Sequence, residues 1–111
     1  MGRWVYVFFR VDEGMHRRMR ELSSRQRPAC ALVREAVLLR IYKKDSSLRK
    51  NKKAAVKLTQ NELRRLEEEA AKRGISRSEL LRCYLRGYLE CNPVRKFLVK
   101  ILRGLWWRLK Q

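Results

Sequence analysis

Two helix-start signatures with one glycine between them constrain this chain more than any other feature. They are "TQNE" at Thr59–Glu62 and "SRSE" at Ser76–Glu79, with Gly74 in between. In each, the hydroxyl can accept from the amide of the glutamate three residues on, and the carboxylate can reach back to the cap. The first helix then carries Leu63, Leu66 and Ala70 on one face and Arg64, Arg65, Glu67 and Glu68 toward water. Gly74 suits the left-handed position that closes it. The second helix carries Leu80, Leu81, Tyr84, Leu85 and Tyr88 on a broad apolar face and should stop near Leu89 or Glu90, ahead of Asn92-Pro93. Before the first cap, Ala54, Val56 and Leu58 alternate with Ala55 and Lys57, the period of a half-buried strand. A single strand cannot satisfy its own edges, so this one needs a partner.

The N-terminal half offers one. "WVYVFFRV", Trp4 to Val11, is rich in aromatic and β-branched residues and reads as a strand. Asp12 can cap a following helix in which Met15, Met19 and Leu22 recur at helical spacing. A second helix is expected in "PACALVREAVLLRIY", with Pro28 suited to its first turn and Leu32, Val33, Ala36, Val37 and Ile41 as its apolar face. Val11 aligns with Leu58, 47 residues later, and Ala31 with Glu79, 48 residues later. The halves therefore read as an internal repeat, the first one residue shorter, most simply around Arg25 to Pro28. The first copy lacks the glycine and both capping boxes. The organisation expected is a first unit over 1–42, a basic linker over 43–52, a second unit over 53–90 and a basic amphipathic helix over 91–111. The alternative is an unrelated first half, with the second unit pairing across a homodimer.

The order strand, capped helix, glycine, capped helix in "VKLTQNELRRLEEEAAKRGISRSELLR", Val56 to Arg82, resembles the ribbon-helix-helix family of DNA-binding regulators, the MetJ/Arc/CopG group. The resemblance implies a mainly α fold with a two-stranded antiparallel ribbon that enters the major groove of double-stranded DNA. Here it implies a tandem, single-chain pseudo-dimer, similar to small regulators of archaeal viruses. In such a ribbon the outward residues read base edges. With Val5, Val7, Phe9, Val11, Val56 and Leu58 inward, those are Tyr6, Phe8, Arg10, Lys53, Ala55 and Lys57. Arg10 and Lys57 are equivalent positions; arginine can bond guanine in a fork, and Phe8 or Ala55 can touch a thymine methyl. The rival register would bury Arg10, which is costly. Phe8 equally suits a hydrophobic or subunit contact. The resemblance also implies a phosphate clamp at the start of the last family helix, here Ile75, Ser76, Arg77 and Ser78. Arg25 and Arg27 supply charge at the matching first-unit site. Ser76 and Glu79 can serve simply as helix caps as well.

Charge agrees with an anionic partner: 29 basic against 11 acidic residues give +18 over 111 residues. Three scattered cysteines and the single His16 make no metal pattern. No P-loop, glycine-rich fingerprint or catalytic carboxylate pair is present, and the acids sit mainly on a helix surface as Glu67, Glu68 and Glu69. Neither an enzyme nor a cofactor is expected. The N-terminus lacks the layout of a signal peptide, so a cytoplasmic location is expected, in a host cell if the source is viral. The tail "NPVRKFLVKILRGLWWRLKQ" places Val94, Phe97, Leu98, Ile101, Leu102, Leu105 and Leu109 on one helical face, beside Trp106 and Trp107. Self-association through Phe97, Ile101, Leu105 and Trp106 is the first reading of it. Packing on its own core and lying on a membrane surface are the others. The function expected is a sequence-specific transcription regulator acting as a repressor. The alternatives are an antitoxin, which the basic tail disfavours, and a weakly specific architectural nucleoprotein.

Overall fold

The computed structural model describes residues 4–23, 28–91 and 93–102. Its element order is a strand β1 (Trp4–Val11), helices α1 (Glu13–Leu22) and α2 (Ala29–Leu39), a strand β2 (Lys52–Thr59), and helices α3 (Gln60–Arg73), α4 (Arg77–Glu90) and α5 (Pro93–Leu102). Strand, helix, helix thus occurs twice. The two strands pair antiparallel with each other, Phe8 opposite Ala55, Tyr6 opposite Lys57 and Arg10 opposite Lys53.

The register is centred on one pair. Ala55 is both the cross-strand partner of Phe8 and the residue 47 positions after it. A pseudo-two-fold axis therefore passes between these two residues. It relates Tyr6 to Lys53 and Arg10 to Lys57. The turn expected to hold the missing residue falls largely on 24–27, outside the described residues.

One face of the ribbon is the roof of the core. Val7, Phe9, Val11, Ala54, Val56 and Leu58 are buried beneath it, and Val5 is half-buried. Fully burying residues such as Val56 and Leu58 stabilises by roughly 1.5–3 kcal/mol each. The core is completed by Leu32, Val33, Ala36 and Val37 of α2 and by Leu80, Leu81, Tyr84 and Leu85 of α4. Met15 and Met19 of α1 and Leu66 and Ala70 of α3 close its sides. Leu22 departs from the expected stripe: it ends α1 and is exposed.

The caps form where the sequence places them. Thr59 and Glu62 make both halves of their box, at 3.2 and 2.9 Å. Asp12 accepts from the Met15 amide at 2.8 Å. Ser76 accepts from the Glu79 amide at 3.1 Å, and among the described residues Glu79 does not return the bond. Gly74 takes φ 69°, as a left-handed terminus requires. Pro28 precedes the first turn of α2 instead of entering it. That helix ends on Arg40, a non-glycine residue at φ 51°. Such a conformation costs about 1 kcal/mol. It is held by what Arg40 reaches there, the Glu69 carboxylate on α3 at 3.0 Å.

Besides acids at helix starts such as the capping residues Asp12 and Glu62, three acids lie elsewhere than on a solvated surface. Glu69 is half-buried between Arg40 and the Tyr84 hydroxyl, which donates to it. Glu35 is buried in α2, where the Tyr88 hydroxyl donates to it at 2.6 Å and Lys100 of α5 pairs with it. Asp45, in the segment between α2 and β2, is held by arginines of α4. Each is a buried or half-buried charge with partners, the condition under which burial is tolerated.

That segment is not a loose tether. Its start crosses α4 at Gly87, where an added Cβ would stand 1.8 Å from the Ile41 carbonyl oxygen. The Lys43 amide then donates to the Cys83 carbonyl at 3.2 Å, and the Lys43 ammonium pairs with Glu90 at 2.7 Å. Only glycine admits a crossing this close. Gly87 aligns with the fully buried Leu39 of the first unit, so the site differs because the chain passes there once.

Helix α5 touches the rest through a narrow strip. Val99 packs on the core, and the Lys96 ammonium lies 4.1 Å from the centre of the Tyr88 ring. Val94, Phe97, Leu98, Ile101 and Leu102 are all more than half exposed. Among the described residues no helix is long and apolar enough to cross a membrane.

Candidate nucleic-acid interface

The outer face of the ribbon carries a single row from each strand. On β1 it is Trp4, Tyr6, Phe8 and Arg10; on β2 it is Lys53, Ala55, Lys57 and Thr59. Strand alternation forces this set once the valines face the core. Phe8 is 69% exposed and Tyr6 58%. Rings that open to solvent on a flat sheet face are what a contact surface offers, rather than what a core needs.

The row is uneven. One strand presents three aromatic rings and one guanidinium, and the other presents two ammonium groups around a small alanine. Arg10 and Lys53 face each other at one end and are exposed. At the other end Lys57 is half-buried, its ammonium 5.0 Å from the centre of the Trp4 ring and 6.0 Å from that of Tyr6. The Arg34 guanidinium lies 4.7 Å from the same Trp4 ring. Lys57 is thus steered by aromatic faces that attract cations, and among the described residues Arg10 is not. Trp4 is the residue that reading by motif missed. The alternation that turns Tyr6, Phe8 and Arg10 outward turns Trp4 outward too, and this was the available signal.

Behind the row, the backbone of each strand is held by the opposite unit. Arg34 of α2 donates to the Lys57 carbonyl at 3.3 Å, and Arg82 of α4 donates to the Arg10 carbonyl at 3.2 Å. Arg34 and Arg82 are 48 residues apart, the spacing that relates α2 to α4, and Lys57 follows Arg10 by 47. The two bonds are the same bond on either side of the pseudo-two-fold axis.

The start of α4 brings Ser76, Arg77 and Ser78 together at an accessible helix N-terminus. Its amides and dipole favour an anion there. The Ser76 hydroxyl is engaged in capping, and Arg77 leans toward Glu67 at 3.8 Å, an exposed contact of little strength. The start of α2 has Pro28 without a side-chain cap, so it offers fewer donors. Arg25 and Arg27 lie outside the described residues.

Carboxylates near these elements are held ionised. Burial pushes Glu62 upward, but bonds from Arg34 and the Thr59 amide, with the charge of Arg34, outweigh it and leave the carboxyl below its ordinary value. Glu69 is likewise pushed up by burial and brought down further by Tyr84 and Arg40. Burial, then the bond to Glu69, raises Tyr84 to about 12. A shallow concavity of about 400 Å³ opens among Arg40, Glu69, Lys72, Arg73 and Tyr84. Much of its charge is already matched: Arg40 meets Glu69, and Arg73 lies 4.0 Å from the Tyr42 ring centre. Among the described residues no group of histidines, cysteines and acids is placed to hold a metal ion.

Of the self-association residues, Phe97 and Ile101 lie on the exposed face of α5, while Leu105 and Trp106 lie outside the described residues. Residues 55–90 match the family model described as ribbon-helix-helix protein, copG family, a span that covers most of β2 and all of α3 and α4. No curated protein and no solved structure matches the chain.

Proposed function

We propose that this chain, a ribbon-helix-helix protein of the copG family over residues 55–90, lays its two-stranded ribbon in the major groove of double-stranded DNA and acts as a sequence-specific transcription regulator, a repressor in its simplest form. The observation that carries the reading is the outward row on a ribbon built by one chain: Tyr6, Phe8 and Arg10 against Lys57, Ala55 and Lys53. A major groove about 12 Å wide accepts a two-stranded ribbon, and its base edges suit these side chains. Arg10 is fitted to guanine, Phe8 and Ala55 to thymine methyls, and Lys53 and Lys57 to acceptors on either strand. Ser76, Arg77 and Ser78 clamp a phosphate and set the register without reading sequence. Arg25 and Arg27 are assigned the same task at the first unit. Because the two strands differ at every related position, one chain reads an asymmetric site.

The exposed face of α5, with Phe97 and Ile101 at its centre and Leu105 and Trp106 further along the sequence, is assigned to a second copy of the chain. The chain carries a net charge of +18, so two copies meet most readily on DNA, whose phosphates offset their repulsion. Sedimentation with and without duplex DNA tests this, and a chain that stays single on a two-site duplex sinks it. The protein works in the cytoplasm of its cell or host.

Selection from random DNA with purified protein, followed by footprinting, tests the main reading. An enriched, non-palindromic motif is expected, and Arg10→Ala with Lys57→Ala should flatten it at the base positions they read. Binding of every sequence alike, with a steep salt dependence, would replace this reading with that of an architectural nucleoprotein.

A further inference from the structure

The two arginines behind the ribbon are equivalent, but the carboxylates that hold them are not. Arg34 is gripped by Glu62, the N3 residue of α3, at 2.5 Å. The residue 47 positions before Glu62 is Met15, which occupies the same N3 place in α1 and carries no charge. Arg82 therefore has no carboxylate from the element that should supply one. It finds one instead in the segment joining the units: its Nε donates to Asp45 at 2.7 Å. Asp45 is the lone acid in a segment otherwise rich in lysine and arginine. Its side chain is 8% exposed, and it also faces Arg86 at 3.7 Å and Lys50 at 3.9 Å.

We infer that Asp45 is a positioning residue for the Arg10 end of the ribbon, standing in for the carboxylate that the first unit lacks. Arg82 is a fork with separate tines. With Nε fixed on Asp45, its Nη1 is aimed at the Arg10 carbonyl. Without Asp45 the guanidinium has no carboxylate holding it there. Arg86 would then keep Asp12, its partner at 2.7 Å, while Arg82 would be free to swing. The backbone that presents Arg10 would lose its support, whereas Lys57 would keep its own through Glu62 and Arg34. The joining segment is on this view part of the reading apparatus. The inference rests on the DNA-reading function proposed above, and on the packing alone for its structural half.

The test compares the full-length chain with Asp45→Asn and Asp45→Glu. Base preference is measured by selection, and backbone amide exchange is measured in the absence of DNA. Positions read by the Arg10 end are defined beforehand with Arg10→Ala. Asp45→Asn should reduce preference at those positions by about fivefold or more, with little change at the Lys57 end, and Asp45→Glu should restore most of it. Amides around Arg10 and Lys53 should exchange about tenfold faster in Asp45→Asn, while those around Tyr6 and Lys57 stay as they were. Equal effects at both ends, or no effect at either, would overturn the assignment. If Asp45→Asn does not fold, Arg82→Lys takes its place; it keeps the charge, loses the fork and must show the same one-ended pattern. If the unaltered protein enriches no sequence, the proposed function falls, and the exchange experiment still decides whether Asp45 supports this end.

Discussion

At Thr59 a hydroxyl and a glutamate cap α3 reciprocally, in a half-exposed site that involves no other helix except through Arg34. At the equivalent Asp12, one carboxylate oxygen caps α1 and the other accepts from Arg86 of α4 at 2.7 Å, in a site only 3% exposed. The second unit is specified locally, residue by residue. The first is specified by what the second unit presents to it. Two halves with the same element order can therefore depend on quite different kinds of information. Both helix starts reach the opposite unit, through Glu62 to Arg34 and through Asp12 to Arg86, but only at Asp12 is the N-cap side chain itself the contact.

The sharpest way to break that contrast is at the caps themselves. Asp12→Ala should cost about 4 kcal/mol of stability, because it removes the cap of α1 and leaves the half-buried Arg86 with only the more distant Asp45 and Glu90. Urea unfolding of Asp12→Ala beside Thr59→Ala measures the difference; the latter should lose only about 1 kcal/mol. Equal losses would mean the halves are specified alike. Gly87→Ala should come next, at about 3 kcal/mol, since the new methyl meets the Ile41 backbone and the α4 crossing must shift. The same unfolding measurement checks it, against a near-neutral change at an exposed site such as Lys72. Acid offers a softer probe. Glu62 and Glu69 of α3 both answer arginines of the first unit, and both sit below their ordinary value of 4.5. Their contribution is complete above that value and is lost as pH falls through the lowered ones. Melting temperature should therefore fall on acidification below about pH 4.5, and Glu69→Gln should flatten part of that limb. Tyr84 gives the opposite limb: its contribution is complete below 10.0 and lost as pH rises toward about 12. Tyr84→Phe should remove it. The smallest effect expected is on binding: Arg77→Ala should weaken all DNA sequences alike and reduce the salt slope by about one. A sequence-dependent loss would reassign Arg77 to base reading.

The same contrast explains what could be read from the chain. The second unit was legible because each of its boundaries is set by a local cause: a hydroxyl three residues before a glutamate, or a glycine free to take a positive φ. The ribbon faces were legible because one register would bury Arg10. Much of the first unit was legible only through alignment with the second. No glycine marks Arg40 as left-handed; in that conformation its amide closes α2 on Ala36 and its guanidinium meets Glu69 on another helix. Nothing marks Glu35 as buried, since its partners Tyr88 and Lys100 lie 53 and 65 residues away. Asp45 was visible as a lone acid among bases, but its arginines arrive only when the chain folds back over α4. Trp4 shares the outward row with Tyr6 and Phe8, but its place beside Lys57 follows only from the cross-strand register.

Strands that pair within one polypeptide have a consequence for abundance. A ribbon assembled from two separate chains falls apart on dilution: well below the dissociation constant, its concentration drops with the square of the chain concentration. Here the two strands belong to one polypeptide, so each meets its partner at the effective concentration that the connection sets, whatever the amount of protein. The assembled ribbon is then present in proportion to the protein itself, down to a few molecules per cell. Joining also frees the halves from identity. Under the function proposed above, a mutation in one strand alters the bases read by that strand, so each half of the site can drift toward its own sequence without forfeiting the other.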